Sequence, residues 1–403
     1  MILIHDGYMI DPKSGREGNY DILIDGDKIV KIAEKIEPRG KVTRINAEGL
    51  LVAPGLVDVH VHFRDPGFTA KEDINTGAAA AAKGGVTTVV LMANTKPAVD
   101  SEETLHYILD KGAKTGIHVT TCANVTMGMQ GKQLTDMKKL AVAGAVGFTD
   151  DGVPLLDAEL VRRAMEISAE LDMPISFHEE DPKYIENNGV NRGKASEYYG
   201  IGGSSREAEI ALVERDLKLA EETGACIDIQ HISSKEAVEL VRQAKKRCSN
   251  IHAEATPHHF TLTEDAVIKY GTLAKMNPPL REEADRQPGT GGRHHRYDRY
   301  GSCPPYCGGK SKADHRGTQR HYRVGDVSGA GHYGTGGQRI SDHEAAVASD
   351  EYQSGGYVPS GCRISGRGRP GGCDSDRYRS GVHSGEICVQ GHEYTVYRME
   401  SEG

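Results

Sequence analysis

Residues 56–67 read Leu56-Val57-Asp58-Val59-His60-Val61-His62-Phe63-Arg64-Asp65-Pro66-Gly67. The apolar and polar residues alternate up to His62, which predicts a strand, and Pro66-Gly67 ends it. Residues two apart on a strand share a face, so His60 and His62 project the same way. Two imidazoles so placed suit one divalent ion. The plainer alternative is a pair of half-buried rings bonded to backbone.

Downstream of this stretch, β-rich runs recur at Val86–Met92, Val119–Asn124, Val146–Thr149, Ile175–His178, Cys226–His231 and Ile251–Ala255. Helical stretches separate them at Lys71–Lys83, Ser101–Lys114, Ala158–Leu171, Ser205–Thr223 and Ser234–Lys246. Strand–helix alternation at this spacing predicts a parallel sheet. No Gly-rich nucleotide turn follows the first strand, so an α/β (β/α)8 TIM-like barrel is favoured over a doubly wound sheet. Seven strands are readable, and the eighth is expected after Asn277. Upstream, Met1–Ile4, Tyr8–Ile10, Tyr20–Ile24 and Lys28–Ile32 are β-rich, with a turn signal at Asp25-Gly26. The chain thus divides into a small β-module (1–50), a barrel (51–282) and a tail (283–403).

In such a barrel the carboxyl ends of the strands carry the chemistry. His178 and His231 each close a strand at the same end as the His60/His62 pair. Either alone reads as a core histidine. Phe148-Thr149-Asp150-Asp151-Gly152 ends the fourth strand and offers a carboxylate that can bridge two ions, although Asp-Gly serves equally as a turn or cap. Four histidines with one or two aspartates suit a two-metal hydrolytic site. Arg64 can clamp a substrate carboxylate bidentately. Asn94 and Asn277 follow strands and can donate amides, their plainer reading being loop turns. His258-His259, read as strand neighbours facing opposite ways, is taken as structural.

The quoted set Asp58–Gly67, together with Asn94-Thr95, Phe148–Gly152, His178-Glu179-Glu180-Asp181, Gln230-His231-Ile232-Ser233 and Lys275-Met276-Asn277-Pro278-Pro279-Leu280-Arg281, resembles class I dihydroorotase of the amidohydrolase superfamily. The resemblance covers about residues 1–282. It implies reversible closure of N-carbamoyl-L-aspartate to dihydroorotate in pyrimidine synthesis, on two divalent ions, zinc by family habit. It also implies His60, His62, His178 and His231 as metal ligands, Asp151 as the bridge, and Arg64, Asn94 and Asn277 as substrate contacts. Hydantoinases and allantoinases, the alternative, carry a carboxylated lysine on strand four, and Phe148–Asp151 has none. A non-catalytic barrel partner is a third reading, against which the five ligand residues argue. A small-molecule substrate is implied, with self-association or association with another pyrimidine enzyme open.

The family's eighth strand ends Asp-His-Ala-Pro-His, whose Asp is a metal ligand and proton shuttle, and no such string occurs here. After Leu280 there is no Leu, Phe or Asn, and residues 283–403 hold 24 of the 49 Gly and five of the eight Cys. Such a segment cannot bury enough apolar surface to offset its ordering entropy. A one-base slip in reading frame accounts for both facts. Gly301-Ser302-Cys303-Pro304-Pro305-Tyr306 can be encoded GGA TCA TGC CCC CCA TAC, and dropping the first base gives Asp-His-Ala-Pro-His, so the catalytic Asp is expected to be lost near Gly301 and Ser302. In the same offset Met399-Glu400 forces a Trp codon, in a chain that has no Trp. The slip is expected between about Arg281 and Arg293, leaving the chain inactive as written.

Other classes are disfavoured. The acidity (net charge −9) lies in the first part, with 33 Lys+Arg against 43 Asp+Glu, while the tail is near neutral. That gives a nucleic-acid partner poor electrostatic support. No apolar run approaches the roughly 18–20 residues of a membrane helix, and no leader is visible at Met1–Asp6. Irregularly spaced cysteines point to a reducing cytoplasm, and the Cys303/Cys307 pair is weak as a metal clip.

Overall fold

The computed structural model describes residues 1–286 and a strand at 394–398. The chain opens with β1 (Ile2–Asp11), β2 (Arg16–Asp25), β3 (Lys28–Ala33), β4 (Thr43–Asn46) and β5 (Leu50–Pro54). β1 pairs antiparallel with β2 and parallel with β4 and β5, while β2 pairs antiparallel with β3. Where two short strands were expected before residue 10, a single β1 runs through a bulge between Ile4 and Gly7. Asp6 takes a left-handed conformation there (φ +62°), and the buried Asp21 carboxylate accepts its amide. The extra residue re-aims the strand without ending it. Ile4, Met9, Ile22, Ile24, Ala47 and Val52 pack on one face of this sheet, and Leu3, Leu23 and Ile36 on the other.

The barrel begins with β6 (Leu56–Val61) and α1 (Ile74–Lys83), and continues as β7 (Val86–Leu91), α2 (Glu102–Gly112), β8 (His118–Thr121), α3 (Met137–Ala143) and β9 (Phe148–Thr149). Then follow α4 (Ala158–Glu170), β10 (Ile175–Phe177), α5 (Lys194–Tyr199), α6 (Glu207–Thr223), β11 (Ile227–Ile229), α7 (Lys235–Lys245) and β12 (Ile251–Ala253). All the barrel pairings are parallel, in the orders β6-β7-β8 and β9-β10-β11-β12. A parallel bridge between Ala123 and Phe148 joins the two sets into one arc of seven strands. Among the described residues β6 and β12 are its unpaired ends, and the place of an eighth strand falls outside them.

The expected helices form where side chains satisfy their first free amides. Asp73 caps α1 in a capping box with Thr76, and Ser101, Asp157 and Ser234 cap α2, α4 and α7. Their apolar faces meet the strands in one core that includes Val89, Leu105, Phe148, Val161, Ile229 and Val241. Phe148 is fully buried and contributes about 2–3 kcal/mol by that burial.

The last stretch carries α8 (Pro257–Thr261), α9 (Asp265–Tyr270) and α10 (Glu283–Arg286). His258 and His259 therefore lie on a helix, not a strand. Thr256 caps it and Pro257 occupies its first turn, a start signal that overrides the β-rich run before it. His259 bridges the Thr256 hydroxyl and the Pro278 carbonyl, a structural engagement. β13 (Tyr394–Arg398) pairs antiparallel with β5, so this piece of the 283–403 segment adds to the N-terminal sheet, where composition predicted no order. Gly301, Ser302 and the Cys303/Cys307 pair lie outside the described residues.

Candidate metal centre

Asp151, just beyond β9, is the hub of the site. Its Oδ1 lies 3.7 Å from His60 Nε2, 3.7 Å from His178 Nδ1 and 3.5 Å from His231 Nε2, and its Oδ2 lies 3.4 Å from His62 Nε2. Two groups result, His60/His62/Asp151 and Asp151/His178/His231, each with its ligand atoms within 4.8 Å of one another and each buried. The facing nitrogens stand 3.2 Å apart in the first group and 2.9 Å apart in the second. Imidazole nitrogens and one shared carboxylate, turned inward among buried groups, suit divalent metal ions. The residues fit such ions.

Strand ends produce this convergence. His60 is on β6, whereas His62, His178 and His231 stand just past the ends of β6, β10 and β11. His231 takes φ +36°, which aims its ring at the centre from a backbone conformation costing about 1–3 kcal/mol. The next residues hold it there: buried Glu209 of α6 accepts from the amides and hydroxyls of both Ser233 and Ser234. The adjacent aspartates divide their work. Asp150 accepts from Val125 N, Thr126 N and Asn124 Nδ2 and so ties down the loop after β8, leaving Asp151 for the histidines.

The far sides of three rings are also held. His62 Nδ1 donates to Asn94 Oδ1 at 3.1 Å, His178 Nε2 pairs with Glu180 at 2.9 Å, and His60 Nδ1 donates to Glu254. Such contacts fix a ring's tautomer and direction. Burial opposes charge on His60, but Glu254 and Asp151 outweigh it and raise its pKa to about 10. Burial raises Asp58, on the same strand, to about 7. Glu254 and Glu180 were not singled out from sequence. The available signal was a carboxylate just past the end of a barrel strand, the same signal that marked Asp151.

Asn94, expected to face substrate, has both ends of its amide engaged here, with Nδ2 donating to Asp151 O and Oδ2 at 3.2 and 3.1 Å. Arg64, one residue beyond the histidine pair across Phe63, takes φ +56°. Its neighbour Asp65 is buried and accepts from Ile74 N, Tyr107 Oη and Lys111 Nζ, anchoring the turn. Asn277 packs against Gly189, its Oδ1 being 3.3 Å from where a Cβ on that glycine would stand. Neither Arg64 nor Asn277 belongs to the two ligand groups.

A (β/α) barrel with four inward histidines around one aspartate at its strand ends defines a metal-dependent hydrolase of the amidohydrolase type. Solved structures agree on the fold. An L-hydantoinase from Arthrobacter aurescens superposes with a TM-score of 0.62 at 21% identity, over 71% of this chain and 64% of that one. A D-hydantoinase from Thermus sp. gives 0.59 at 22%, over 71% and 65%. In sequence, the Dihydro-orotase-like family matches residues 49–237. The chain is 53% identical over 287 residues to a dihydroorotase of Clostridium acetobutylicum and 54% over 286 residues to one of Clostridioides difficile. In each case the match takes in 71% of this chain and 68% of the relative, about two thirds of its length. The chain belongs to the dihydroorotase family.

Proposed function

We propose that this centre, completed by its eighth strand, interconverts N-carbamoyl-L-aspartate and dihydroorotate. The observation that carries the reading is the single carboxylate of Asp151 standing within reach of all four histidines. Divalent ions bound there would supply Lewis acidity and lower the pKa of a water to near neutrality. His60 and His62 would hold one ion, His178 and His231 the other, and Asp151 both. Zinc fits the donors best.

The remaining residues bind and orient. Arg64 extends from a turn anchored by Asp65, where its planar fork suits the substrate carboxylate in two parallel N–H···O bonds. Asn277 contributes an amide from the loop packed on Gly189. Asn94, with its amide committed to His62 and Asp151, orients the centre and meets substrate only from that position. Opening the ring also requires a proton on the departing amide nitrogen, delivered in this family by the Asp of the eighth strand. Absence of a general acid costs about 10²–10⁴ in rate. With the tail read as frame-shifted, the chain as written is therefore inactive and the frame-restored chain is active.

A dihydroorotate assay of both chains, with hydantoin and allantoin as competing substrates, tests the reading. Turnover of dihydroorotate by the restored chain alone supports it, and preference for hydantoin overturns it. Resequencing the coding DNA after Arg281 tests the slip separately, and an uninterrupted frame encoding the tail would sink it. No helix among the described residues is long and apolar enough to cross a membrane. A reducing cytoplasmic setting is part of the same reading. Self-association or docking on another pyrimidine enzyme is part of the same proposal, checked by sedimentation.

A further inference from the structure

We propose that Glu254 is a positioning residue for the group His60/His62/Asp151: it takes the Nδ1–H of His60 across the seam between β6 and β12 and so turns the Nε2 lone pair toward the centre. This rests on the reading of His60 as a metal ligand.

Three observations carry it. First, β6 is an end strand of the described arc, paired with β7 alone, and its register with β7 is irregular between Asp58 and Val61, where His60 lies. The backbone alone therefore fixes that ring poorly. Second, Glu254 is firmly mounted one residue past β12. Its N–H donates to Ile229 O at 3.0 Å, and its C=O accepts from Ile232 N at 2.8 Å. Third, the two side chains meet directly, both buried, although they are 194 residues apart in sequence. A carboxylate only accepts, so the contact keeps a proton on Nδ1 and makes Nε2 the nitrogen that gives up its proton to ligate. Glu180 and Asn94 serve His178 and His62 in the same manner from their own sides of the site. Glu254 differs in that it reaches over an edge left unpaired among the described residues.

The shared architecture supplies an internal control. Zn2+ titration of the full chain by calorimetry is expected to show two phases, assigned with His62→Asn and His178→Asn. Glu254→Ala and the shorter Glu254→Asp should weaken the His60 phase by about 10–100-fold and leave the His178/His231 phase unchanged. Glu254→Gln, whose amide oxygen can still accept from Nδ1, should recover part of that loss. Equal weakening of both phases would show that Glu254 merely supports the fold, and unchanged affinity would show that it does nothing for His60; either result overturns the inference. A wild-type chain that binds no Zn2+ overturns the metal reading beneath it as well. Glu254→Asp keeps charge and burial but loses reach, so it decides the matter should the alanine variant fail to fold.

Discussion

Replacing Gly77 with alanine sets two effects against each other. Gly77 lies in α1 facing Phe63, and a Cβ there would stand 2.4 Å from Phe63 Cε1, 2.5 Å from Cδ1 and 2.8 Å from Cγ. Carbon atoms in good contact sit about 3.5–4.0 Å apart, so more than about 1 Å must be found. Phe63 is buried in the main core and cannot swing into solvent. Overpacking of this kind costs about 1–3 kcal/mol, and the ring contact puts Gly77 at the upper end. Against it, alanine gains about 1 kcal/mol of helix propensity. The expected net loss is about 2 kcal/mol. Urea unfolding followed by circular dichroism should show a lower midpoint at unchanged slope. Phe63→Leu/Gly77→Ala should recover much of the difference relative to Phe63→Leu alone. Because Phe63 separates His62 from Arg64, the single variant should also loosen Zn2+ binding. A Gly77→Ala chain as stable as wild type would refute the argument, since it would mean that the wall formed by Phe63 yields at no cost.

Three other outcomes follow from the geometry. Burial opposes ionisation of Asp65, but Lys111, the Ile74 amide and Tyr107 overcome it and lower its pKa. Its stabilisation is thus present at neutral pH and lost as pH falls through that lowered value, so Asp65→Asn should cost about 2–3 kcal/mol at pH 7, with the gap to wild type closing below about pH 4 in parallel urea titrations. Asp151→Asn should reduce bound metal from about two ions per chain to less than one by elemental analysis, because both groups share that carboxylate; retention of both ions would contradict the hub. Burial pushes the Cys122 thiol up to about 12, so iodoacetamide at pH 8 should leave the Cys122 peptide unmodified until the chain is denatured, and rapid native labelling would refute this.

The barrel was legible because its helices announce themselves with caps at Asp73, Ser101, Asp157 and Ser234 and its strands with apolar runs of the right spacing. Strand ends were read too long, since the site residues end the pairing: His178 and His231 sit past β10 and β11, and the left-handed backbone of His231 has no propensity signal. Asp150 and Asp151 could not be told apart from sequence, because which one ties the loop and which one faces the histidines is settled by strand alternation and neighbours. His258-His259 falls on a helix because the Thr256 cap and Pro257 outweigh the β-rich run before them, two local signals of opposite sense side by side. Glu254 and Glu180 were invisible as partners, since a glutamate beside a turn looks the same whether it meets water or a histidine. The small helices α3, α5 and α9 have too few turns for their periodicity to stand out.

The His60–Glu254 contact also has a meaning in time. A ribosome adds about 5–20 residues per second, so the 194 positions between these two residues take roughly 10 to 40 s to emerge. Through that interval His60 exists while the acid that fixes its proton has not yet been made. The first half of the centre is thus born incomplete, its orientation set only when the seventh strand arrives.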